Sequence, residues 1–310
     1  GGFFAPELAW AGFHHLVIKG KAEKPVYLWI HNGKIEIRDA RNIWGKTVTD
    51  TQWAIREELG DEDIKSLVIG PAGENLVRIA NVMTGIKNSG GRTGMGAVMG
   101  SKNLKAIAAR GTMDIKIAHP KEALEYNKRF IDQITSAKVN QTQGTLGTPF
   151  IWGATNSWGG IRTRNFQYNQ ELYCDEIEPE SIDEACAETI GPYHMTGCFG
   201  CQVHCRAKYK IPTGPYAGVY DEGPEYTSQG AFCGEPDCRS LETLLVGNHL
   251  VDQYGMDNLE TGSLISWAME LYELGILTSK ETDGLDLRFG NDEALLEMVT
   301  RICYRKGWLG

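Results

Sequence analysis

The chain has 310 residues, of which 42% are hydrophobic and 23% charged, and a formal net charge of −9. That balance belongs to a packed globular protein long enough for more than one domain, and it excludes a disordered or fibrous chain. The acidic total without a Lys/Arg cluster argues against nucleic acid as a partner, and the apolar windows are too often broken by Glu to give the roughly 20-residue span a membrane helix needs.

Residues 12–40 are short and β-rich: an apolar run at 15–19, another at 26–30, then 34–38 with period-two alternation. Asn32-Gly33 between the last two runs predicts a hairpin. Thr49 is placed to cap a helix over 51–59, and Gly60 to end it. Strands follow at 66–70 and 104–109. Beyond Pro120 the spacing of Leu, Ile, Val and Phe turns helical, clearest over 121–134 and 241–254, while the Gly/Thr/Asn/Trp-rich stretch 141–160 predicts a long loop. The expectation is an α+β chain with a β-rich domain over 1–112 and a mainly helical domain over 113–310.

Eight Cys are too few for a disulfide scaffold, and three of them fall within eight positions as Cys198-x2-Cys201-x3-Cys205. Such crowding points to metal binding in a reducing compartment, the cytoplasm. Three thiolates on one turn suit an iron–sulfur cube, or a structural zinc ion with His204 or His194 as fourth ligand. A cube normally takes a fourth Cys, for which Cys233 and Cys238 are the nearest candidates, whereas Cys174, Cys186 and Cys303 are expected to be ordinary thiols. The run Gly90-Gly91-Arg92-Thr93-Gly94 can bring backbone N–H groups against a phosphate, with charge from Arg92 and Lys102, or can be no more than tight turns. Asp252-x2-Gly255-Met256-Asp257 ends a helical pattern. Its carboxylates suit the N–H groups of a ligand, or the segment is a helix C-cap followed by an N-capping Asp.

Together with residues 12–40, Gly70-Pro-Ala-Gly-Glu-Asn75, Gly96-Ala-Val-Met-Gly-Ser-Lys-Asn-Leu-Lys-Ala-Ile107 and Glu222-Gly-Pro-Glu-Tyr226, these motifs resemble the aldehyde:ferredoxin oxidoreductase family over almost the whole chain. The resemblance implies an enzyme with a bis-pterin cofactor, tungstopterin or molybdopterin, beside a [4Fe-4S] cluster. By that likeness Cys198, Cys201 and Cys205 are cluster ligands, Gly1, Gly2, Gly90, Gly91, Arg92 and Gly94 line the pterin phosphates, and Asp252, Gly255 and Asp257 match the D-x-x-G-L-D pterin motif with Met256 for Leu.

The implied reaction is oxidation of a small aldehyde to a carboxylate. Electrons would pass to ferredoxin or another electron-transfer subunit, in a homo-oligomer when the protein is complete. Two other readings stand beside it: a same-family low-potential enzyme acting on an aromatic acyl-CoA, and a non-catalytic iron–sulfur or zinc module. Thr227 stands where aldehyde-oxidising members carry a glutamate, which leaves Glu222, Glu225 and Thr227 as the catalytic candidates, a structural salt bridge being the other reading of either glutamate. His249 matches half of an E-x-x-H metal motif, but Val246 replaces its Glu and no interface metal is expected. The resemblance further implies a fragment of about half the usual length, with the start, the fourth cluster cysteine and the second pterin motif outside it.

Overall fold

A computed structural model describes residues 1–170, 177–308 and 310. The first part opens with helix α1 (Phe4–Trp10), followed by β1 (Val26–His31) and β2 (Lys34–Asp39), α2 (Val48–Leu59), β3 (Lys65–Val68), the single turn α3 (Pro71–Glu74), β4 (Val82–Thr84), β5 (Asn88–Gly90), α4 (Met95–Ser101) and β6 (Leu104–Arg110). The strands form one six-stranded sheet in the order β2-β1-β6-β3-β4-β5. Only β1 and β6 are parallel; every other pair is antiparallel.

Asn32 and Gly33 both take positive φ, as a two-residue hairpin with this twist demands, and His31 pairs with Lys34 across the turn. Strand β6 is buried on both faces: Ala106 and Ala108 pack with Tyr27, Ile55 and Val68, while Ile107 and Ala109 pack with Ile30 and Ile69. A strand covered on two sides reads as near-continuous hydrophobicity, interrupted in 104–109 only by the buried Lys105. Residues 15–19, expected as a strand, form no ladder; Leu16 and Ile18 instead lie against the second of those clusters. Helix α2 starts earlier than expected. Thr47 is its cap, accepting from the Asp50 amide at 3.3 Å, and the Thr49 amide donates to Gln253 instead.

The second part contains α5 (Pro120–Ser136), α6 (Lys138–Leu146), α7 (Trp152–Ser157), α8 (Pro179–Ile190), a three-stranded antiparallel sheet of β7 (Met195–Thr196), β8 (Arg206–Lys210) and β9 (Tyr220–Glu222), the short α9 (Tyr226–Gln229) running into a π turn over Gly230–Gly234, then α10 (Leu241–Tyr254), α11 (Asn258–Glu273) and α12 (Asp292–Tyr304). Its core joins Phe232, Leu244, Val251, Ile265, Leu295 and Val299. The predicted loop over 141–160 is mostly helical, because α6, a 3-10 turn at Thr148–Ile151 and α7 are held by tertiary contacts such as the buried Trp152 ring, which meets Tyr226 edge-on.

The two parts meet along a seam where Ala72, Val77 and Ala80 join the second part's core and backbone hydrogen bonds run beside them. The amide of Asn81 donates to the Gly255 carbonyl at 2.8 Å, and the amide of Asp257 donates to the Ile79 carbonyl at 2.9 Å. Gly255 ends α10 in the left-handed region (φ 70°), which turns the chain back onto this seam. Gly70 packs so closely on the end of α10 that a Cβ there would fall 2.2 Å from the Tyr254 carbonyl oxygen. No helix among the described residues is long and apolar enough to cross a membrane.

Candidate functional site

A cavity of about 270 Å³ opens on the seam, lined by Asn81, Lys87, Ser89, Gly91 and Arg92 from the first part and by Glu225, Thr227, Asn248, Asp252 and Asp257 from the second. The expected glycine run and the expected acidic motif therefore share one wall. Their roles in that wall differ. Asp257 accepts from the Glu260 amide at 3.0 Å, capping α11, and from the Arg92 amide at 2.9 Å, so its carboxylate fastens the glycine run to the helix. Asp252 is buried, receives an N–H from Asn248 at 3.2 Å, and is pushed well above the usual carboxylate range, first by loss of water and then by the neighbouring Asp221 charge.

The charges expected to serve a phosphate are engaged elsewhere. The Arg92 guanidinium pairs with Glu260 at 2.6 Å, and the Lys102 ammonium donates to the carbonyls of Ile18 and Gly20. Gly94 is the left-handed N-cap of α4. Gly90 ends β5, while Gly1 and Gly2 lie against Asn88.

Of the three catalytic candidates, Glu225 and Thr227 line the cavity. Glu222 lines a smaller neighbouring cavity with Asn88 and Arg206, and its carboxylate pairs with the Arg206 guanidinium at 3.0 Å; burial raises its pKa. Glu225 takes the ammonium of Lys87 on one oxygen and the hydroxyl of Thr148 on the other. Burial is the main force lowering the Lys87 pKa to about 8, with the Asp252 charge opposing it. Neither Lys87 nor Thr148 stood out in the sequence. A lone lysine before a glycine run carries no spacing signal, and Thr148 lay inside the misread loop.

Cys198, Cys201 and Cys205 are free and half-buried on the loop between β7 and β8, with the Cys201 amide donating to the Cys198 carbonyl at 3.0 Å. The Cys198 sulfur lies 3.5 Å from Asn88 Oδ1. Among the described residues no three His, Cys, Asp or Glu side chains are gathered around a single-ion position. His194 uses both ring nitrogens, toward the Gly191 carbonyl at 3.0 Å and Asp183 at 2.7 Å. Cys233, Cys238, Cys186 and Cys303 are buried; Cys174 lies outside the described residues. His249 bonds to Asp221 at 2.5 Å.

Residues 1–111 match the family described as "Aldehyde ferredoxin oxidoreductase, N-terminal domain", and residues 125–310 match "Aldehyde ferredoxin oxidoreductase, domains 2 & 3". The chain belongs to the aldehyde ferredoxin oxidoreductase family. It is similar to the tungsten-containing aldehyde ferredoxin oxidoreductase of Pyrococcus abyssi, with 38% identity over 99% of this chain and 50% of that protein. A relative in Pyrococcus furiosus, the "Aliphatic sulfonate oxidoreductase, WOR-like subunit", shares 33% identity over 97% of this chain and 49% of its own length. In structure the chain resembles the active-site complex BamBC of benzoyl coenzyme A reductase in complex with 1,5-dienoyl-CoA, at TM-score 0.79 and 28% identity over 99% of this chain and 47% of that one. The chain thus spans about half the length of the curated relatives it matches.

The residues present suit the cofactors the family implies. Three soft thiols on one turn are donors for iron rather than for calcium or magnesium. The cavity wall offers amide, hydroxyl and carboxyl groups of the kind a pterin ring's donors and acceptors require.

Proposed function

We propose that this chain supplies the pterin cavity and three cluster ligands of a tungsten or molybdenum oxidoreductase that converts an aldehyde to a carboxylate and passes electrons through a [4Fe-4S] cluster to ferredoxin. The observation that carries this reading is convergence. The glycine run and the Asp252/Asp257 segment line one cavity, and the strand leaving that cavity touches Cys198. With both ring nitrogens of His194 already engaged, the thiols favour a cluster over a zinc knot using that histidine. We also assign 1–112 and 113–310 as the two domains and the cytoplasm as the compartment.

The bound metal–pterin would supply two-electron chemistry at the substrate carbon. The chain's own residues handle protons and position. In the net change an aldehyde gains an oxygen from water and releases two electrons and two protons as the acid forms. Glu225 faces the cavity as the carboxylate able to accept one of them, and Lys87 and Thr148 hold it in place. Asp252, favoured in its protonated form, is suited to donate a hydrogen bond rather than to act as a base. Thr227 at the cavity wall adds a hydroxyl without a charge.

One observation favours a second reading, reduction of an aromatic acyl-CoA: the similarity to a benzoyl coenzyme A reductase complex at TM-score 0.79. Anaerobic purification with metal analysis and parallel assays decides between them. Tungsten or molybdenum with about four irons, and aldehyde-dependent ferredoxin reduction, is the expected result. Turnover of an aromatic acyl-CoA without aldehyde oxidation would establish the second reading, and zinc alone would overturn both.

A further inference from the structure

Asn88 begins β5, the strand that runs into the cavity wall at Ser89 and Gly91, and its side chain reaches the other way to Cys198. The contact sits in a confined corner. A Cβ on Gly1 would meet Asn88 Oδ1 and the Cys198 sulfur, each at 3.1 Å, and one on Gly2 would lie 3.3 Å from Asn88 Cβ. The Phe199 amide also donates to the Gly2 carbonyl at 3.3 Å, tying the cysteine loop to the same glycine pair. The glycine pair thus lies against both Asn88 and the Cys198 sulfur, beside their contact.

As a thiol, Cys198 can donate its proton to Asn88 Oδ1, the arrangement present here at 3.5 Å. A cysteine ligated to iron has no proton, and an amide oxygen against a thiolate is repulsive. Turning the amide about its last bond exchanges Oδ1 for Nδ2, moves no other heavy atom, and aims an N–H at the sulfur. Hydrogen bonds to ligand sulfurs are among the levers that set the potential of such clusters.

We propose that Asn88 is a positioning residue for the cluster, its amide donating an N–H to the Cys198 sulfur and so raising the cluster's reduction potential. This rests on the cluster reading above. Reduction adds one electron to the cluster without breaking a bond or moving a proton, and part of the added charge falls on the sulfurs. The N–H stabilises the reduced form more than the oxidised one.

The test is a dithionite titration of the anaerobically purified protein, followed by electron paramagnetic resonance, with iron measured on each sample. Asn88→Leu removes the donor, Asn88→Asp keeps the shape but exchanges the donor for a carboxylate, and Asn88→Gln retains a donor on a longer arm. Relative to the unsubstituted protein, Asn88→Leu should lower the one-electron equilibrium constant roughly tenfold, or about 59 mV. Asn88→Asp should lower it further and Asn88→Gln less, all with unchanged iron content. A full iron complement with the same potential in Asn88→Leu and Asn88→Asp would overturn the proposal while leaving the cluster standing. Absence of iron from the unsubstituted protein would overturn the cluster reading and this inference with it. Iron loss in all three variants would make Asn88 a structural prop and overturn it too.

Discussion

Lys105 and Glu74 form a buried ion pair within the first part, with side chains 0% and 6% exposed. The Lys105 ammonium also donates to the Lys46 carbonyl at 2.9 Å, and Glu74 accepts from the Gly45 amide at 2.8 Å. Burial lowers the Lys105 pKa and raises that of Glu74, so each charge depends on the other. Lys105→Met leaves the carboxylate with one amide, and Glu74→Leu leaves the ammonium with one carbonyl. Breaking one side of such a pair costs about 3–5 kcal/mol, while replacing both partners with well-packed apolar side chains is close to neutral or stabilising. At about 2–4 °C per kcal/mol, each single variant should lower the thermal midpoint by about 6–20 °C. The double variant Lys105→Met/Glu74→Leu should return near the starting value, giving a coupling energy comparable to one single loss. Differential scanning calorimetry on all four proteins makes the measurement. Single variants within about 1 kcal/mol of the parent, or strictly additive losses, would refute the claim that the pair is interdependent.

Other expectations follow from the seam and the cavity. Because burial brings the Lys87 pKa down to about 8, the ammonium that holds Glu225 is present below that pH and lost above it. Aldehyde-dependent dye reduction should therefore fall as pH rises through about 8. Lys87→Arg should carry the plateau to higher pH; an identical falling limb in that variant would separate Lys87 from the profile. Gly70→Ala forces a Cβ to within 2.2 Å of the Tyr254 carbonyl, and a loss of about 2 kcal/mol or more in a denaturant titration is expected. Cys201→Ser should abolish the iron–sulfur absorbance and ferredoxin-coupled turnover, whereas unchanged iron content would remove Cys201 from the ligand set.

Much of this protein was legible from local chemistry. Asn32-Gly33 specified its hairpin, the helical spacing over 241–254 matched α10, and Gly255 and Asp257 took the cap positions their residue types favour. Propensity failed where packing supplied the order. The stretch 141–160 lacks apolar period because its helices are fixed by scattered anchors such as Trp152, and residues 15–19 carry a strand-like apolar run but find no ladder.

The sequence by itself determined which chemistry the chain carries: three neighbouring thiols, a glycine run and a two-carboxylate turn, each encoded within a few residues. Only the tertiary structure decided how those pieces are used. Asp257 is spent on the Arg92 amide 165 positions away, Lys87 finds Glu225 across 138, and Asn88 reaches Cys198 across 110. Contacts at such separations leave no period or spacing in the chain, because they are made by burial and charge pairing once the two parts close on one another.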